Sequence, residues 1–383
     1  MTPGELTLTV SPHLHQKGRT VSRGMRDVLI ALAPAAVVAV VVFGMSALYV
    51  MVISMLTAGI TEYLIERLKR RRPTVNDMSA MVTGLLFAFL LPPTTPWWVV
   101  VAGSFFAIAV GKELFGGLGR NVFNPALLAR VALMFSPLSI YVSKYVEPFF
   151  WKTTGFFSPV STTVSSTSLG GVGFSSLGGT MYADTFTSAT PLSLLKSGKM
   201  LADSITGPTP VGATWVTETG RPALHSLLTG FKSGSIGEVC VLALLLGAAY
   251  LIYRRTIDWR IPAGILGSFL VVMLIGWNSL LYHLFSGGLI LGAFFMATDW
   301  VTSPMTRRGK WVYAVGIGVF VALIRIYSPL PEGVAIAILH FNVVTLVLDR
   351  YLAQPRFGVL KKPFFNRMPK LPEPAPKTVG RQA

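Results

Sequence analysis

The sequence predicts an all-α polytopic membrane protein with about ten transmembrane helices, arranged in two five-helix halves around a long polar loop. Of the 383 residues, 52% are hydrophobic and 13% are charged, whereas an average soluble domain has about 25% charged residues. The apolar residues fall into long runs, and basic residues cluster between alternate runs. Since the N-terminal segment lacks the short apolar core and cleavage site of a signal peptide, we expect the first helix to be retained.

Ten apolar runs approach the ~20 residues that a helix needs to cross a hydrocarbon core. They cover residues 28–43, 47–65, 78–91, 97–110 and 125–142 in the first half, and 236–253, 261–277, 280–298, 311–327 and 334–348 in the second. A Gly- or Pro-rich interruption precedes the last run of each half, at 111–124 and at 328–333. Interrupted segments at matching positions, with an odd number of helices per half, predict an inverted repeat with a site between the halves.

The net charge of +17 is explained by basic loops on one side of a membrane, without nucleic-acid binding. Most Lys and Arg residues lie on the same side as the N-terminus, Lys112 and Arg120 among them, whereas few lie within residues 143–235. The positive-inside rule places the basic side in the cytoplasm. We therefore expect both termini in the cytoplasm and the long loop outside it.

These patterns divide the chain into five regions: a cytoplasmic N-terminal segment (1–27), a first transmembrane half (28–142), an extracytoplasmic loop (143–235), a second transmembrane half (236–349) and a cytoplasmic tail (350–383). Cys240 is the single cysteine. The chain therefore cannot form an internal disulfide or supply a cysteine-ligated metal cluster of its own.

The stretch Asp-Thr-Phe-Thr-Ser-Ala-Thr-Pro at 184–191 stands out in the polar loop. Pro191 pushes the preceding Thr190 towards extended backbone and suits the first turn of a helix. Thr190 is therefore a predicted N-cap, and a phosphate attached to it would lie at the positive end of the helix dipole. An ordinary capping threonine is the alternative that the local pattern leaves open.

Several separate stretches resemble one family of integral membrane subunits, represented by RnfD of the Rnf complex and NqrB of the sodium-pumping NADH:quinone oxidoreductase. The matching stretches are residues 11–13, 76–86, 91–93, 111–126, 296–304, 331–335 and 349–351, which follow one another in the family's order. About 27 residues precede the first predicted helix. This favours the RnfD type, because NqrB-type subunits usually have a longer N-terminal extension.

The resemblance implies a covalent flavin in the outer loop. Members of the family carry an Asp-x-x-Ser/Thr-Gly/Ser-Ala-Thr signature, and a flavin transferase that uses FAD attaches FMN to its last threonine through a phosphoester. Asp184, Thr187, Ser188, Ala189 and Thr190 match this signature, with Ser188 standing where many members have glycine. The expected attachment site is therefore Thr190.

The resemblance also implies a second flavin, riboflavin, held without a covalent bond in the membrane domain. We expect it near Gly116, Gly117 and Gly119, because glycines let a backbone approach a ligand closely. A tight turn between two helices is the alternative explanation for these glycines.

The family's role implies one relay among several chains in a bacterial or archaeal cell membrane. The expected partners are iron–sulfur and flavin membrane subunits, peripheral subunits that bind NADH or ferredoxin, the flavin transferase and the lipid bilayer. Such a translocase subunit would contribute to Na⁺ or H⁺ transport and would not be catalytically complete alone. An NqrB-type quinone-reducing role and a channel or transporter without redox chemistry remain the alternatives.

Ionisable residues within membrane spans are costly, so they are usually functional or structurally paired. Glu62, Asp299 and Asp349 lie near predicted helix ends, where we expect snorkelling or capping. His340 and Asn342 lie deeper in a predicted span. For these two we expect a hydrogen-bonded core pair.

Overall fold

The computed structural model describes residues 20–70, 75–146, 148–149, 151, 156, 224–230, 232–276, 280–328 and 333–352. Within these ranges every extended regular element is helical. The longer helices are α1 (Val21–Phe43), α2 (Met45–Leu68), α3 (Ser79–Phe89), α4 (Trp97–Ile108) and α5 (Pro125–Met134), then α8 (Val241–Tyr253), α9 (Arg260–Gly276), α12 (Arg307–Tyr327) and α13 (Gly333–Tyr351). The short ones are α6 (Ser139–Val142), α7 (Leu224–Thr229), α10 (Leu280–Phe285) and α11 (Leu289–Leu291).

Four of these helices, α1, α2, α12 and α13, are long and apolar enough to cross a membrane. The apolar helices α3, α5, α8 and α9 are shorter. The prediction of an all-α membrane protein is thus confirmed at this level. The total of ten spans, the inverted repeat, the regional boundaries and the orientation stay predictions.

Local sequence signals set where several helices begin. The Thr20 hydroxyl accepts a hydrogen bond from the Arg23 N–H at 3.2 Å and starts α1 seven residues before the predicted apolar run. Thr306 caps α12 in the same way through the Gly309 N–H, at 3.0 Å. Gly44 separates α1 from α2 with a φ of 69°, which glycine adopts without steric cost.

Three runs predicted as single helices are interrupted in the structure. The run at 125–142 ends its first helix at Met134 and resumes as α6. The run at 280–298 breaks around Gly287, whose φ is 68°, and continues through α11 into a π-helical turn, Gly292–Met296. The run at 236–253 begins with a 3₁₀ turn, and α8 starts only at Val241. The composition identifies these stretches as apolar, but proline and glycine residues within them interrupt the helices.

The two halves are joined most closely where α1 packs against α8. Gly247 of α8 faces the backbone of α1, and a Cβ at this position would collide with the carbonyl oxygen of Ala31. Near the other end of the same contact, Arg254 pairs with Asp27 at 3.3 Å, and the Tyr250 hydroxyl donates to the same carboxylate. Elsewhere α2 packs on α3 and α4, and α9 packs on α12.

Candidate functional site

A cavity lies where interrupted helices from both halves meet. Together with its open mouth, it has about 780 Å³ of empty space. Its walls come from α1, α3 and the segment after α4 on one side, and from the end of α8 and the π-helical turn on the other. The lining is largely apolar, with side chains such as Val28, Leu86 and Phe294. A few polar groups therefore determine what it can bind.

One wall contains a buried charged pair. Helix α4 continues as a π-helical turn, Ala109–Glu113, which directs Lys112 inwards. The Lys112 ammonium donates to the Glu62 carboxylate at 2.5 Å and to the Ser79 hydroxyl at 2.7 Å, and the two charged residues are 2% and 0% exposed. The predictions of a loop position for Lys112 and of snorkelling for Glu62 are wrong. Mutual neutralisation, not access to water, makes these two charges tolerable in the interior.

A second ion pair adjoins the first. The Lys69 ammonium donates to the carbonyl oxygen of Glu113 at 2.6 Å and to its carboxylate at 3.1 Å. The buried carboxylates of Glu62, Glu66 and Glu113 each have an oxygen within 4.8 Å of the others. Lys112 pairs with Glu62 and Lys69 with Glu113 in this acidic cluster, so α2 and the end of α4 are joined by charge as well as by apolar packing.

Two asparagines after the glycine-rich turn face the cavity. The Asn121 amide donates to the carbonyl of Phe123 at 3.1 Å, while its buried Oδ1 has no hydrogen-bond partner among the described residues. Asn124 is the N-cap of α5, and its side chain also donates to the carbonyl of Met296 at 3.2 Å. A buried acceptor without a donor costs free energy, so the Asn121 oxygen fits a ligand that brings an N–H group.

The opposite wall is formed by the turn after the second π-helical turn. The Thr302 hydroxyl donates to the Asp299 carboxylate at 3.2 Å, and the Trp300 indole N–H donates to the Thr256 carbonyl at 2.8 Å. Burial raises the pKa of Asp299, which lies beyond the helix end, although hydrogen bonds from Val301, Thr302 and Trp300 act in the opposite direction. Asp299 is therefore an internally bonded carboxyl and not a freely solvated helix cap.

The glycine-rich turn lies beside this cavity. Gly116, Gly117 and Gly119 have φ values of 111°, 96° and 90°, a region that side-chain-bearing residues rarely occupy. The tight turn alone therefore requires glycine at these positions. The cavity lining includes Leu118 and Asn121 from this segment.

Two further sequence predictions concern polar residues of the second half. Asn342 is buried and hydrogen-bonds with the Tyr313 hydroxyl at 3.1 Å. His340 is exposed and its ring packs beside Phe320, with 5.4 Å between the ring centroids. The predicted core pair of His340 with Asn342 is wrong, because two residues separated by two positions face different sides of a helix. Asp349 accepts the backbone N–H of Met305, just before the N-cap of α12, at 3.0 Å.

The flavin-attachment signature lies outside the described residues. This applies to Asp184, Thr187, Ser188, Ala189 and Thr190, and to the predicted N-cap position of Thr190. Asn121 was not predicted as a site residue, and Lys112 was predicted to lie in a loop. The sequence feature that could have indicated a buried Lys112 is Glu62 on α2, because a charge within a membrane span requires a partner.

These features define an all-helical membrane protein in which broken helices of two halves surround a mainly apolar cavity with a buried charged pair in its wall. The NQR2, RnfD, RnfE family model matches residues 7–358. The chain belongs to this family, as the sequence resemblance predicted.

Several curated relatives are similar over nearly their whole length. The chain is 40% identical to the D-type subunit of the Na(+)-translocating ferredoxin:NAD(+) oxidoreductase complex of Acetobacterium woodii, covering 93% of this chain and 97% of the relative. It is 38% identical to the D-type subunit of the proton-translocating ferredoxin:NAD(+) oxidoreductase complex of Clostridium ljungdahlii, covering 92% and 96%. It is 37% identical to the D-type subunit of the ion-translocating oxidoreductase complex of Stutzerimonas stutzeri, covering 88% and 92%.

Proposed function

We propose that this chain is the D-type membrane subunit of an Rnf ion-translocating ferredoxin:NAD oxidoreductase complex. The supporting observation is near-full-length similarity to relatives that carry this name. One of these relatives is named for Na⁺ and the other for protons, so the proposal covers either coupling ion. The chain would act as one electron relay among iron–sulfur, flavin and peripheral NADH- and ferredoxin-binding subunits.

Purification of the complex through a tag on this chain tests the proposal. The expected preparation contains partner subunits and reduces NAD with reduced ferredoxin. Quinone reduction by NADH instead would support the NqrB-type alternative. A chain that purifies alone and without flavin would support a channel or transporter.

The electron-carrying group of this subunit is proposed to be FMN, joined to Thr190 by a phosphoester that a flavin transferase makes. Support comes from the signature at 184–190, which a transporter without redox chemistry has no reason to carry. A bound flavin accepts and releases one or two electrons. The chain's task is then to keep the ring at a fixed place on the outer face.

Ultraviolet fluorescence of the denatured band on a gel tests the attachment. Wild-type chain made in a host with the transferase should fluoresce, and Thr190→Ala should not. A dark wild-type band would contradict the flavin proposal, and a fluorescent Thr190→Ala band would place the attachment elsewhere.

The cavity is proposed to hold riboflavin without a covalent bond. Its apolar walls suit a flat hydrophobic ring, and the Asn121 Oδ1 offers an acceptor for a ring N–H. Lys112 lines the same cavity but is already committed to Glu62 and Ser79. Asn121 would therefore orient the ring, the apolar side chains would exclude water from it, and the ion pair would fix the wall.

Flavin released on denaturation of purified full-length Thr190→Ala chain measures this site without interference from covalent FMN. The expected amount approaches one riboflavin per chain, and an added Asn121→Leu substitution should remove most of it. Gly59→Ala is a matched control, because a methyl group there meets no other atom within 4 Å. Equal riboflavin in Asn121→Leu and Gly59→Ala would contradict the assignment.

A further inference from the structure

A second, open groove lies on the side of the protein that the basic residues predict to be cytoplasmic. It is formed by the end of α8, the turn between α8 and α9, and the start of α12. Including open solvent, it encloses about 1040 Å³ of empty space. The groove shares Thr256, Ile257, Thr298 and Trp300 with the inner cavity, but its own lining is strongly basic.

The charges in the groove do not cancel. The lining contains three cations, Arg255, Arg260 and Lys310, and one carboxylate, Asp258. Asp258 accepts from Lys310 at 2.9 Å and from Arg260 at 3.3 Å. Arg255 has no ion-pair partner in the part of the chain that the structure describes. The groove therefore has an excess of two positive charges.

Asp258 organises this groove. Partial burial would raise its pKa, but the hydrogen bonds from Lys310 and the Arg260 backbone lower it further, so the net shift is downward. The carboxylate stays ionised and pairs with one cation from α9 and one from α12. Because Arg260 begins α9 and Lys310 lies in the first turn of α12, these two charges are fixed relative to the helices.

Aromatic side chains mark the level of the groove in the membrane. Trp259 and Trp311 form an edge-to-face pair with centroids 6.2 Å apart and are 53% and 40% exposed. Exposed tryptophans concentrate at the level of lipid headgroups. Just beyond Trp311, the apolar residues Val312 and Val315 are 50% and 43% exposed on one face of α12. The groove therefore lies at the level where lipid headgroups meet the apolar surface of the helices.

We propose that this groove binds the phosphate of an anionic phospholipid from the cytoplasmic leaflet. Arg255 and Lys310 contact the phosphate, and the acyl chains extend past the exposed Trp259 and Trp311 into the bilayer. Basic recesses between transmembrane helices on the cytoplasmic side suit such headgroups. The excess charge selects an anionic lipid over a zwitterionic one, and the tryptophans hold the glycerol region at the correct depth.

Native mass spectrometry of delipidated full-length chain in detergent tests the proposal. Phosphatidylglycerol should bind more tightly than phosphatidylcholine with the same acyl chains. Arg255→Gln and Lys310→Gln should each weaken phosphatidylglycerol binding roughly five-fold, whereas Lys310→Arg should retain it. Arg308→Gln is the matched control, since Arg308 is exposed in the same helical turn but outside the groove lining.

Three outcomes would overturn the proposal. Equal binding of phosphatidylglycerol and phosphatidylcholine would show that the groove does not select lipids by charge. Competition by millimolar inorganic phosphate as strong as that by phosphatidylglycerol would indicate a site for free phosphate. Loss of the bound lipid on assembly of the complex would assign the groove to an acidic partner subunit. Size-exclusion profiles matching wild type exclude misfolding as the reason for weaker binding.

Discussion

The side chain of Asn124, at the start of α5 in the first half, donates a hydrogen bond to the carbonyl oxygen of Met296 in the second half at 3.2 Å. The Asn124 Oδ1 also accepts the Ala126 N–H at 3.1 Å and caps its own helix. One side-chain amide therefore hydrogen-bonds both to a free N–H at the start of α5 and to the carbonyl at the end of the second π-helical turn. The bond fixes the walls of the cavity relative to each other.

Substitutions at Asn124 should separate these two roles. Asn124→Ala loses the cap, which is worth about 0.5–2 kcal/mol, and also the bond to Met296, worth about 1 kcal/mol. Asn124→Ser keeps a capping oxygen but cannot reach Met296. We expect melting temperatures in detergent to fall in the order wild type, Asn124→Ser, Asn124→Ala. A serine variant as stable as wild type would show that the bond between the halves contributes nothing.

Some features of this site could be predicted from the sequence, and others could not. The membrane class, the family and the glycine-rich interruption followed from apolar runs and motif order, which are local properties. The inward position of Lys112 did not, because it depends on how a π-helical turn rotates side chains. The position of Asn121 did not, because it depends on the path of the glycine-rich turn that precedes it. An extra residue in one turn changes the helix face on which every later side chain lies, and composition does not record that change.

The Lys112–Glu62 pair predicts a rescue by double substitution. Lys112→Met leaves the buried Glu62 carboxylate without its ammonium, which should destabilise the fold by about 3–5 kcal/mol. Adding Glu62→Leu removes the stranded charge, so the double variant should recover much of the lost stability. Fluorescence-detected size exclusion after heating measures the folded fraction.

Lys69→Met provides the comparison for that experiment, since the Lys69 side chain is 34% exposed and that of Lys112 is 2% exposed, so water screens the Lys69–Glu113 pair more strongly. It should cost less than Lys112→Met. If the double variant were no more stable than Lys112→Met alone, the contribution of the pair would not be charge compensation.

Lys232 predicts a specific pH dependence of stability. It is buried near the end of the predicted loop 143–235, and its ammonium donates to the carbonyl of Phe285 at 2.9 Å. Burial lowers its pKa from 10.5 to about 8; Arg325 acts in the same direction, while Glu238 and Cys240 partly oppose the shift. Between these two pKa values the unfolded chain binds a proton that the folded chain has lost, so stability rises with pH through this window.

The measurement is the melting temperature of wild type and Lys232→Met from pH 7 to pH 10.5. The wild-type value should rise relative to that of Lys232→Met above pH 8, because only wild type is relieved of a buried ammonium. Curves that stay parallel across this range would show that folding does not lower the pKa of Lys232.

The contact of α1 with α8 predicts opposite effects of the same substitution at two glycines. Gly247→Ala forces a methyl group against the Ala31 carbonyl oxygen, a backbone atom that cannot rotate away, and should destabilise the protein by about 1–3 kcal/mol. Gly267→Ala in α9 places its methyl group where no atom lies within 4 Å. In a helix interior, alanine is favoured over glycine by about 0.5–1 kcal/mol. Thermal unfolding should therefore show a lower melting temperature for Gly247→Ala and an unchanged or higher one for Gly267→Ala, and a stable Gly247→Ala variant would refute the close approach of α1 and α8.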